Sequence, residues 1–132
     1  MLVVDASVLA VALVDDGPDG DLARSRLRGE TLTAPALVDL EVASVWRGLA
    51  RADRLPAERA DAAVDDLRAL PLRRVEHAPL LPRCWELRHN LTIYDAAYVA
   101  LAEALQVTLL TGDNRLSRAV GPRCAIEVLT RH

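Results

Sequence analysis

The chain has 132 residues, of which 52% are hydrophobic, so it is long and apolar enough to bury one core, and we expect a single domain over residues 1–132. Acids interrupt every apolar run before the roughly 20 residues that a bilayer span requires, and the first residues do not resemble a signal peptide, which predicts a cytoplasmic protein. The formal net charge is −3 and every basic residue is an arginine, which excludes mechanisms that need a catalytic lysine.

Short β-branched or leucine-rich segments alternate with longer helical patterns along the chain. This alternation predicts an α/β/α domain with a mainly parallel central sheet of four to five strands flanked by helices. The predicted elements, in chain order, are a strand at 2–4, a helix from Ser7 to before Gly17, a helix at 19–28, a strand at 31–34, a helix from Pro35 to about residue 52, a helix from Pro56 to about residue 70, a strand at 72–75, helices at 80–89 and 94–105, a strand at 107–111, a helix at 116–120 and a strand at 125–129. Ser7 is the expected N-cap of the first helix, and both prolines suit the first helical position.

Two aspartates follow predicted strands directly. Asp5 comes after the apolar run 2–4, and Asp113 comes after the run 107–111 with only Gly112 between. Ligands bind at the carboxyl ends of the strands in open parallel sheets, so both acids are candidates for a functional site. Each is equally explained as a turn or helix-capping residue.

Two further acids lie within predicted helices. Glu41 is four residues from both Leu37 and Val45, so on a helix it shares a face with these expected core residues. An ionised carboxylate on such a face is costly unless it is paired or metal-bound. Asp95 begins an almost uniformly apolar helix, where it could also serve only to complement the helix N-terminus. Asp39, on the other side of its helix from Glu41, is interpreted as a solvated or capping acid.

The four acids together suggest a metal site. If Asp5, Glu41, Asp95 and Asp113 converge on one crevice, their mutual repulsion favours binding of a cation. Oxygen ligands without a histidine or cysteine cluster favour Mg²⁺ or Mn²⁺. The net negative charge does not exclude an anionic substrate, because cations bound at such a site reverse the local charge. The remaining candidates are given simpler roles: Cys84 and Cys124 as reduced core thiols, and His77, His89 and His132 as surface or packing residues.

Four motifs in order resemble the PIN-domain family, specifically the VapC toxins of VapBC toxin–antitoxin systems. The matching segments are Val4-Asp5-Ala6-Ser7-Val8-Leu9, Ala34-Pro35-Ala36-Leu37 through Glu41-Val42, Leu91-Thr92-Ile93-Tyr94-Asp95 through Ala102, and Leu110-Thr111-Gly112-Asp113. With the elements between them, they cover nearly the whole chain. Many members carry a further acid shortly after the last motif, where this chain has Asn114-Arg115, and this departure leaves open whether one or two metal ions bind.

The resemblance implies a metal-dependent endoribonuclease, the toxin of a type II pair. It implies that Asp5, Glu41, Asp95 and Asp113 bind Mg²⁺ or Mn²⁺ and that Ser7 and Thr111 support the first and last acids through hydrogen bonds. It also implies an RNA substrate, a VapB-type antitoxin that blocks the site, and a homodimer. The expected reaction is in-line attack of metal-activated water on a phosphodiester, with Asp5 and Asp95 as the leading candidates for direct ligands. Arg115 and Arg118 are either phosphate contacts or solvated helix charges.

Other functions compete with this hypothesis. A phosphoryl-transfer protein with Asp5 as nucleophile is disfavoured, because Ser7 stands where a dehalogenase-like phosphatase needs an acid and a response-regulator receiver needs a lysine. A PIN-fold binding module without catalysis, and an RNA-processing PIN nuclease outside a toxin–antitoxin pair, remain alternatives.

Overall fold

The computed structural model of the protein describes residues 1–130; His132, one of the three histidines interpreted above, lies outside this range. Strands alternate with helices along the chain. In chain order the elements are β1 Leu2–Val4, α1 Ala6–Val14, α2 Pro18–Leu27, β2 Leu32–Pro35, α3 Val38–Arg51, α4 Ala57–Ala69, β3 Leu72–Val75, a 3₁₀ turn Ala78–Leu80, α5 Leu81–Glu86, α6 Ile93–Leu105, β4 Thr108–Thr111, α7 Asn114–Ser117 and β5 Ile126–Val128.

The five strands form one parallel sheet in the order β3-β2-β1-β4-β5. This confirms the predicted α/β architecture, and the five strands within residues 1–130 agree with the predicted four to five. Helix α1 packs against α2, α3 and α4, whereas α6 packs against α5 and against β1, β2 and β4. Since β1 lies in the centre and pairs with β4 on one side, the ends of these two strands are neighbours.

The central strands are apolar because helices cover the sheet. Val3 and Val4 of β1 and Leu109 and Leu110 of β4 have no exposed surface. Strands that are buried on both faces read as continuous apolar runs, and this is the pattern from which both strands were predicted. Polar residues can follow such strands only where the chain leaves the sheet, so the acids after β1 and β4 lie at its carboxyl edge.

The prediction that Pro35 opens a helix is wrong. Pro35 is the last residue of β2 and pairs in register with Val75 of β3. The following amide, of Ala36, donates to the Val75 carbonyl at 2.8 Å, so the sheet continues past the proline and α3 begins only at Val38. Proline has no N–H to contribute, which the end of a strand tolerates as well as the first turn of a helix does.

Two other helix starts also differ from prediction, for one shared reason. Asp5, not Ser7, is the N-cap of α1, and its carboxylate accepts from the amides of Ser7 and Val8. Asp113 caps α7 by accepting from the Arg115 amide, so α7 starts at Asn114 and not at residue 116. In both places the acid that ends a strand also begins the next helix, because a short carboxylate satisfies the free amides of the first turn.

The buried face of α3 is not the one predicted. Its core residues are Val38, Val42 and Trp46, and the Trp46 indole donates to the Ala10 carbonyl of α1 at 3.1 Å. Val45 is 43% exposed, so Glu41 does not lie on the core face. Glu41 is half-buried at the border of the core face of α3, where its carboxylate contacts both protein and solvent.

Two residues with simple predicted roles, Asp39 and His77, have specific contacts. Asp39 is not a free solvated acid, because Arg74 of β3 donates to both of its carboxylate oxygens, at 3.0 and 3.1 Å. The exposed His77 accepts from the Leu37 amide at 2.9 Å and thereby helps to start α3. The two cysteines are free thiols, Cys84 buried in the core and Cys124 only half-buried.

Within residues 1–130, every helix is too short or too polar to cross a bilayer.

Glu103 joins α6 to α5 and to the loop before β5. Its carboxylate accepts from the Arg83 guanidinium at 2.7 and 3.1 Å and from the Arg123 amide at 2.7 Å. Burial by itself would raise the pKa of Glu103, but the hydrogen bonds from Arg83 and Arg123 outweigh it and hold that pKa below its usual value.

This depressed pKa predicts a pH-dependent contribution of Glu103 to stability. Because the folded-state pKa lies below the unfolded value of about 4.3, the stabilisation is present above that value and is lost as the pH falls through the folded pKa. Glu103→Gln should lower the free energy of unfolding by about 1.5–3 kcal/mol at pH 7, and the difference from wild type should shrink below about pH 4. Urea unfolding of both proteins from pH 7 to pH 3 measures this, and a constant difference would contradict it.

Candidate metal centre

Four acids from different elements line one cavity at the carboxyl edge of the sheet. Its volume is about 350 Å³. Asp5 comes from the end of β1, Glu41 from α3, Asp95 from the first turn of α6, and Asp113 from the turn after β4. The cavity is lined by Asp5, Ala6, Ser7, Glu41, Ser44, Val45, Asp95, Tyr98 and Asp113. The structure therefore brings together all four acids that were predicted as site residues.

Asp5 is held more tightly than the other acids. One carboxylate oxygen accepts from the Ser7 hydroxyl and from the Ser7 amide, the latter at 3.0 Å, and the other accepts from the Thr111 hydroxyl. Burial raises the pKa of Asp5, and these hydrogen bonds partly offset the increase because they favour the charged form. The Asp5 carboxylate is thus fixed in orientation, and water solvates its charge only partly.

The same two hydroxyls join the ends of β1 and β4. The Ser7 hydroxyl accepts from the Gly112 amide at 2.9 Å, and the Thr111 hydroxyl accepts from the Asp113 amide at 3.0 Å. A β-carbon on Gly112 would lie 3.1 Å from the Ser7 hydroxyl oxygen, so the absence of a side chain lets the two turns approach. Ser7 and Thr111 therefore each make contacts of the kind expected of supporting residues.

Glu41 faces this group from α3. Its Oε1 atom accepts from the Tyr98 hydroxyl at 2.6 Å. Burial raises the pKa of Glu41, and the charges of Asp95 and Asp5 raise it further, against the Tyr98 hydrogen bond. The side chain therefore lies within the electrostatic field of two other acids of the cavity.

Asp95 and Asp113 occupy the other wall. Asp95 lies in the first turn of α6, where its amide donates to the hydroxyl of the N-cap Thr92 at 3.1 Å. Burial raises the pKa of Asp95, and the charge of Asp113 adds to the increase. Asp113 itself has a lowered pKa, because the Arg115 side chain donates to both of its oxygens at 3.1 and 3.2 Å. Arg115 is 87% exposed, so its guanidinium can move away at little cost.

The residues of the cavity fit a hard divalent cation. The side chains that can donate an electron pair there are carboxylates and hydroxyls, which suit Mg²⁺ or Mn²⁺ better than a softer metal. Burial raises the pKa of Asp5, Glu41 and Asp95, and the charges of neighbouring acids raise those of Glu41 and Asp95 further. A bound cation would relieve this electrostatic cost. Within residues 1–130 no three histidine, cysteine, aspartate or glutamate side chains already form a metal-binding group, so the acids would have to turn towards a bound ion.

Sequence reasoning gave no role to Tyr98, which lines the cavity and donates to Glu41. It lies three positions after Asp95 on α6, and residues at that spacing share a helix face. Arg115, for which a phosphate contact and a solvated helix charge were both considered, pairs with Asp113 in the structure.

Known proteins resemble this chain in sequence and in structure. The family model described as "PIN domain" matches residues 2–122. Ribonuclease VapC9 of Mycobacterium tuberculosis is 46% identical over 131 residues, which are 99% of this chain and 100% of that protein.

Two solved structures share the fold. The sarcin-ricin loop cleaving toxin VapC20 of Mycobacterium tuberculosis superposes with a TM-score of 0.69 at 20% identity, covering 89% of this chain and 94% of that one. VapBC2 of Rickettsia felis, solved bound to a DNA fragment from its promoter, gives a TM-score of 0.67 at 18% identity, with 98% and 100% covered.

Proposed function

Since the chain belongs to the PIN-domain family and, within it, to the VapC ribonucleases, we propose that it is a toxin that cleaves RNA phosphodiester bonds endonucleolytically at the acidic cavity, with Mg²⁺ or Mn²⁺. The observation that carries the assignment of the site is the placement of four acids from four parts of the chain around one cavity at the carboxyl edge of the sheet. Such a cluster is costly without a cation and suits phosphodiester hydrolysis with one.

Each acid has a distinct position from which to act. When bound, the divalent ion supplies Lewis-acid chemistry that activates water and offsets charge on the phosphoryl oxygens. Asp5, fixed by two hydroxyls, and Asp95, at the start of α6, hold the cation. Glu41 binds it directly or through water, or orients the attacking water, since its carboxylate is held at the border of the cavity.

Asp113 completes the site once Arg115 releases it. The Arg115 guanidinium occupies both oxygens of Asp113, so a cation and Arg115 compete for the same carboxylate. The exposed guanidinium is then free to contact a phosphate of the RNA, a task for which its planar, forked donors are suited.

We also propose the partners and location that go with this function. A VapB-type antitoxin binds the protein and blocks the cavity, and the active form is a homodimer in the cytoplasm. The fold shared with a chain of VapBC2, a toxin–antitoxin complex, supports the antitoxin. Co-expression with a candidate VapB-type antitoxin, followed by gel filtration with and without it, would test the antitoxin and the homodimer.

Metal-dependent cleavage of RNA is the primary test. Purified protein should cut a labelled total-RNA pool with Mg²⁺ or Mn²⁺ and should cut nothing with EDTA. Antitoxin-free, folded protein that leaves the pool intact in both metals would contradict catalysis and favour a binding module. Since trace nucleases also depend on metals, the cleavage products must be compared with those of a variant protein purified in the same way.

Mn²⁺ should also stabilise the protein without RNA. A ligand at one hundred times its dissociation constant stabilises the native state by about 2.7 kcal/mol, which for a chain of this size is a rise in melting temperature of roughly 10 °C. Thermal unfolding with increasing Mn²⁺ measures the effect, and the double variant Asp5→Asn, Asp95→Asn should show little of it. An equal rise in both proteins would place the metal elsewhere.

A further inference from the structure

We propose that Tyr98 is a positioning residue of the acidic site, whose hydroxyl fixes the Glu41 carboxylate for metal binding. This inference rests on the proposed function. Tyr98 is 2% exposed, yet its side chain reaches the cavity and its hydroxyl donates to Glu41 Oε1 at 2.6 Å. The bond crosses the cavity from α6 to α3 and engages one carboxylate oxygen, so that Oε2 remains available to a cation or to water.

The partner of Tyr98 is what separates positioning from ordinary packing. A buried phenol needs one hydrogen-bond acceptor, and a carbonyl of the core would suffice. Here the acceptor is instead a flexible, half-buried carboxylate at the border of α3. Without the hydroxyl, Glu41 would be free to turn into solvent, away from Asp5 and Asp95, whose charges repel it.

A parallel arrangement holds Asp5. Its two carboxylate oxygens each accept from a hydroxyl, one from Ser7 and one from Thr111. The hydroxyl groups thus fix acids on two sides of the cavity, Asp5 at the strand ends and Glu41 on the facing helix. Outer hydrogen bonds of this kind orient metal ligands, and their loss typically weakens metal binding about 10- to 100-fold.

The position of Tyr98 also joins two acids that come from different elements. Asp95 and Tyr98 are three residues apart on α6 and lie on one face of that helix. The helix that supplies Asp95 therefore also sets the orientation of Glu41, and the distance between these two acids depends on the tyrosine.

The experiment compares Tyr98→Phe with Tyr94→Phe, a matched control on the same helix whose ring is 64% exposed. Three quantities are measured on each protein: the free energy of unfolding in urea, the Mn²⁺ dissociation constant from electron paramagnetic resonance of free Mn²⁺, and kcat and KM on a labelled RNA. We expect Tyr98→Phe to weaken Mn²⁺ binding about 10- to 100-fold and to lower kcat with little change in KM. Tyr94→Phe should match wild type in all of them.

A double variant tests whether Tyr98 acts through Glu41. In the Glu41→Gln background, which has already lost the charge that Tyr98 orients, Tyr98→Phe should cause no further loss of Mn²⁺ affinity. A further loss equal to that in the wild-type background would show that the two residues act independently and would overturn the inference.

Other outcomes separate this inference from the proposed function. A wild-type protein that neither binds Mn²⁺ nor cuts RNA overturns both. A wild-type protein that does both, beside a Tyr98→Phe variant with unchanged Mn²⁺ affinity and kcat, overturns only the inference, even if the variant is less stable. If Tyr98→Phe fails to fold, Glu41→Asp serves instead. This variant keeps the negative charge, but its shorter side chain no longer reaches the Tyr98 hydroxyl. Unchanged Mn²⁺ affinity in Glu41→Asp also overturns the inference.

Discussion

Asp5→Asn should lower metal-dependent RNA cleavage by at least about a hundredfold. Loss of a residue that only orients a metal ligand costs up to about a hundredfold, and loss of the ligand itself should cost no less. The substitution removes one negative charge from the cavity and replaces one carboxylate oxygen with an NH₂ group. The Thr111 hydroxyl donates to that carboxylate and accepts from the Asp113 amide, and its second lone pair can accept from the new NH₂ group, so the variant loses a metal ligand without losing the turn. Single-turnover cleavage of a labelled RNA measures the loss.

The same variant should remain folded. Asparagine is as good an N-cap as aspartate, so α1 keeps its first hydrogen bonds. The neutral side chain also avoids the cost of burying a charge near Glu41. We therefore expect the free energy of unfolding to be unchanged or higher, as when an active-site charge is removed.

The control is Asp61→Asn on α4, which removes the same charge from an exposed position outside the cavity. It should cleave RNA at the wild-type rate. Equal activity of Asp5→Asn and wild type would refute the assignment of the site, whereas equal loss in both variants would indicate a general effect of net charge.

Gly20→Ala should be the most destabilising of the small substitutions, at about 3 kcal/mol, the upper range for overpacking a core. Gly20 is buried in α2, and a β-carbon there would collide with the Asp15 carbonyl oxygen and lie 2.7 Å from its carbon. These atoms are backbone at the end of α1 and cannot turn aside. The Asp15 carboxylate also accepts from the amides of Gly17 and Gly20, so the connection between the two helices must move as a unit.

Gly48→Ala is the matched control with the opposite sign. Gly48 lies within α3 and is exposed, and a β-carbon added there would meet nothing within 4 Å beyond the backbone of its own helix. Alanine at this position should stabilise the protein by about 0.5–1 kcal/mol, because glycine loses more backbone freedom in a helix. Urea unfolding of both variants measures the pair; a Gly20→Ala variant as stable as wild type would mean that α1 and α2 are not packed as described.

The site was predictable where the sequence pattern and the fold follow the same rule. Buried parallel strands must be apolar, so the runs before Asp5 and Asp113 identified β1 and β4, and the carboxyl edge of the sheet followed from their parallel pairing. Asp95 was a candidate because the seven residues that follow it are buried, but its place in the first turn of a helix also has a purely structural explanation, so the sequence alone did not decide its role.

The predictions of the start and the buried face of α3 were wrong because the same residues are compatible with two local structures. Proline fits the end of β2 as well as the start of α3, and only the pairing of Pro35 with Val75, forty residues later in the chain, decides between them. Glu41 was expected on the core face because Val45 is apolar, but packing against α1 selects the face with Val42 and Trp46 instead. Tertiary contacts of this kind leave no local signal.

Side-chain partners were the least predictable part of the site. No spacing rule indicates that Tyr98 reaches Glu41, since the two residues are 57 positions apart and meet only when α3 and α6 flank the cavity. Arg115 and Asp113 are two positions apart, but their pairing depends on the turn that begins α7.

The strand order also has a consequence for biosynthesis. β1 is made first, yet one of its neighbours in the sheet is β4, and the Thr111 hydroxyl that holds Asp5 comes 106 residues later in the chain. A chain still growing on the ribosome therefore carries Asp5 without the strand that completes the acidic edge until β4 has been made. The acidic site of an RNA-cleaving protein built in this order therefore cannot assemble on the ribosome before that strand has been translated.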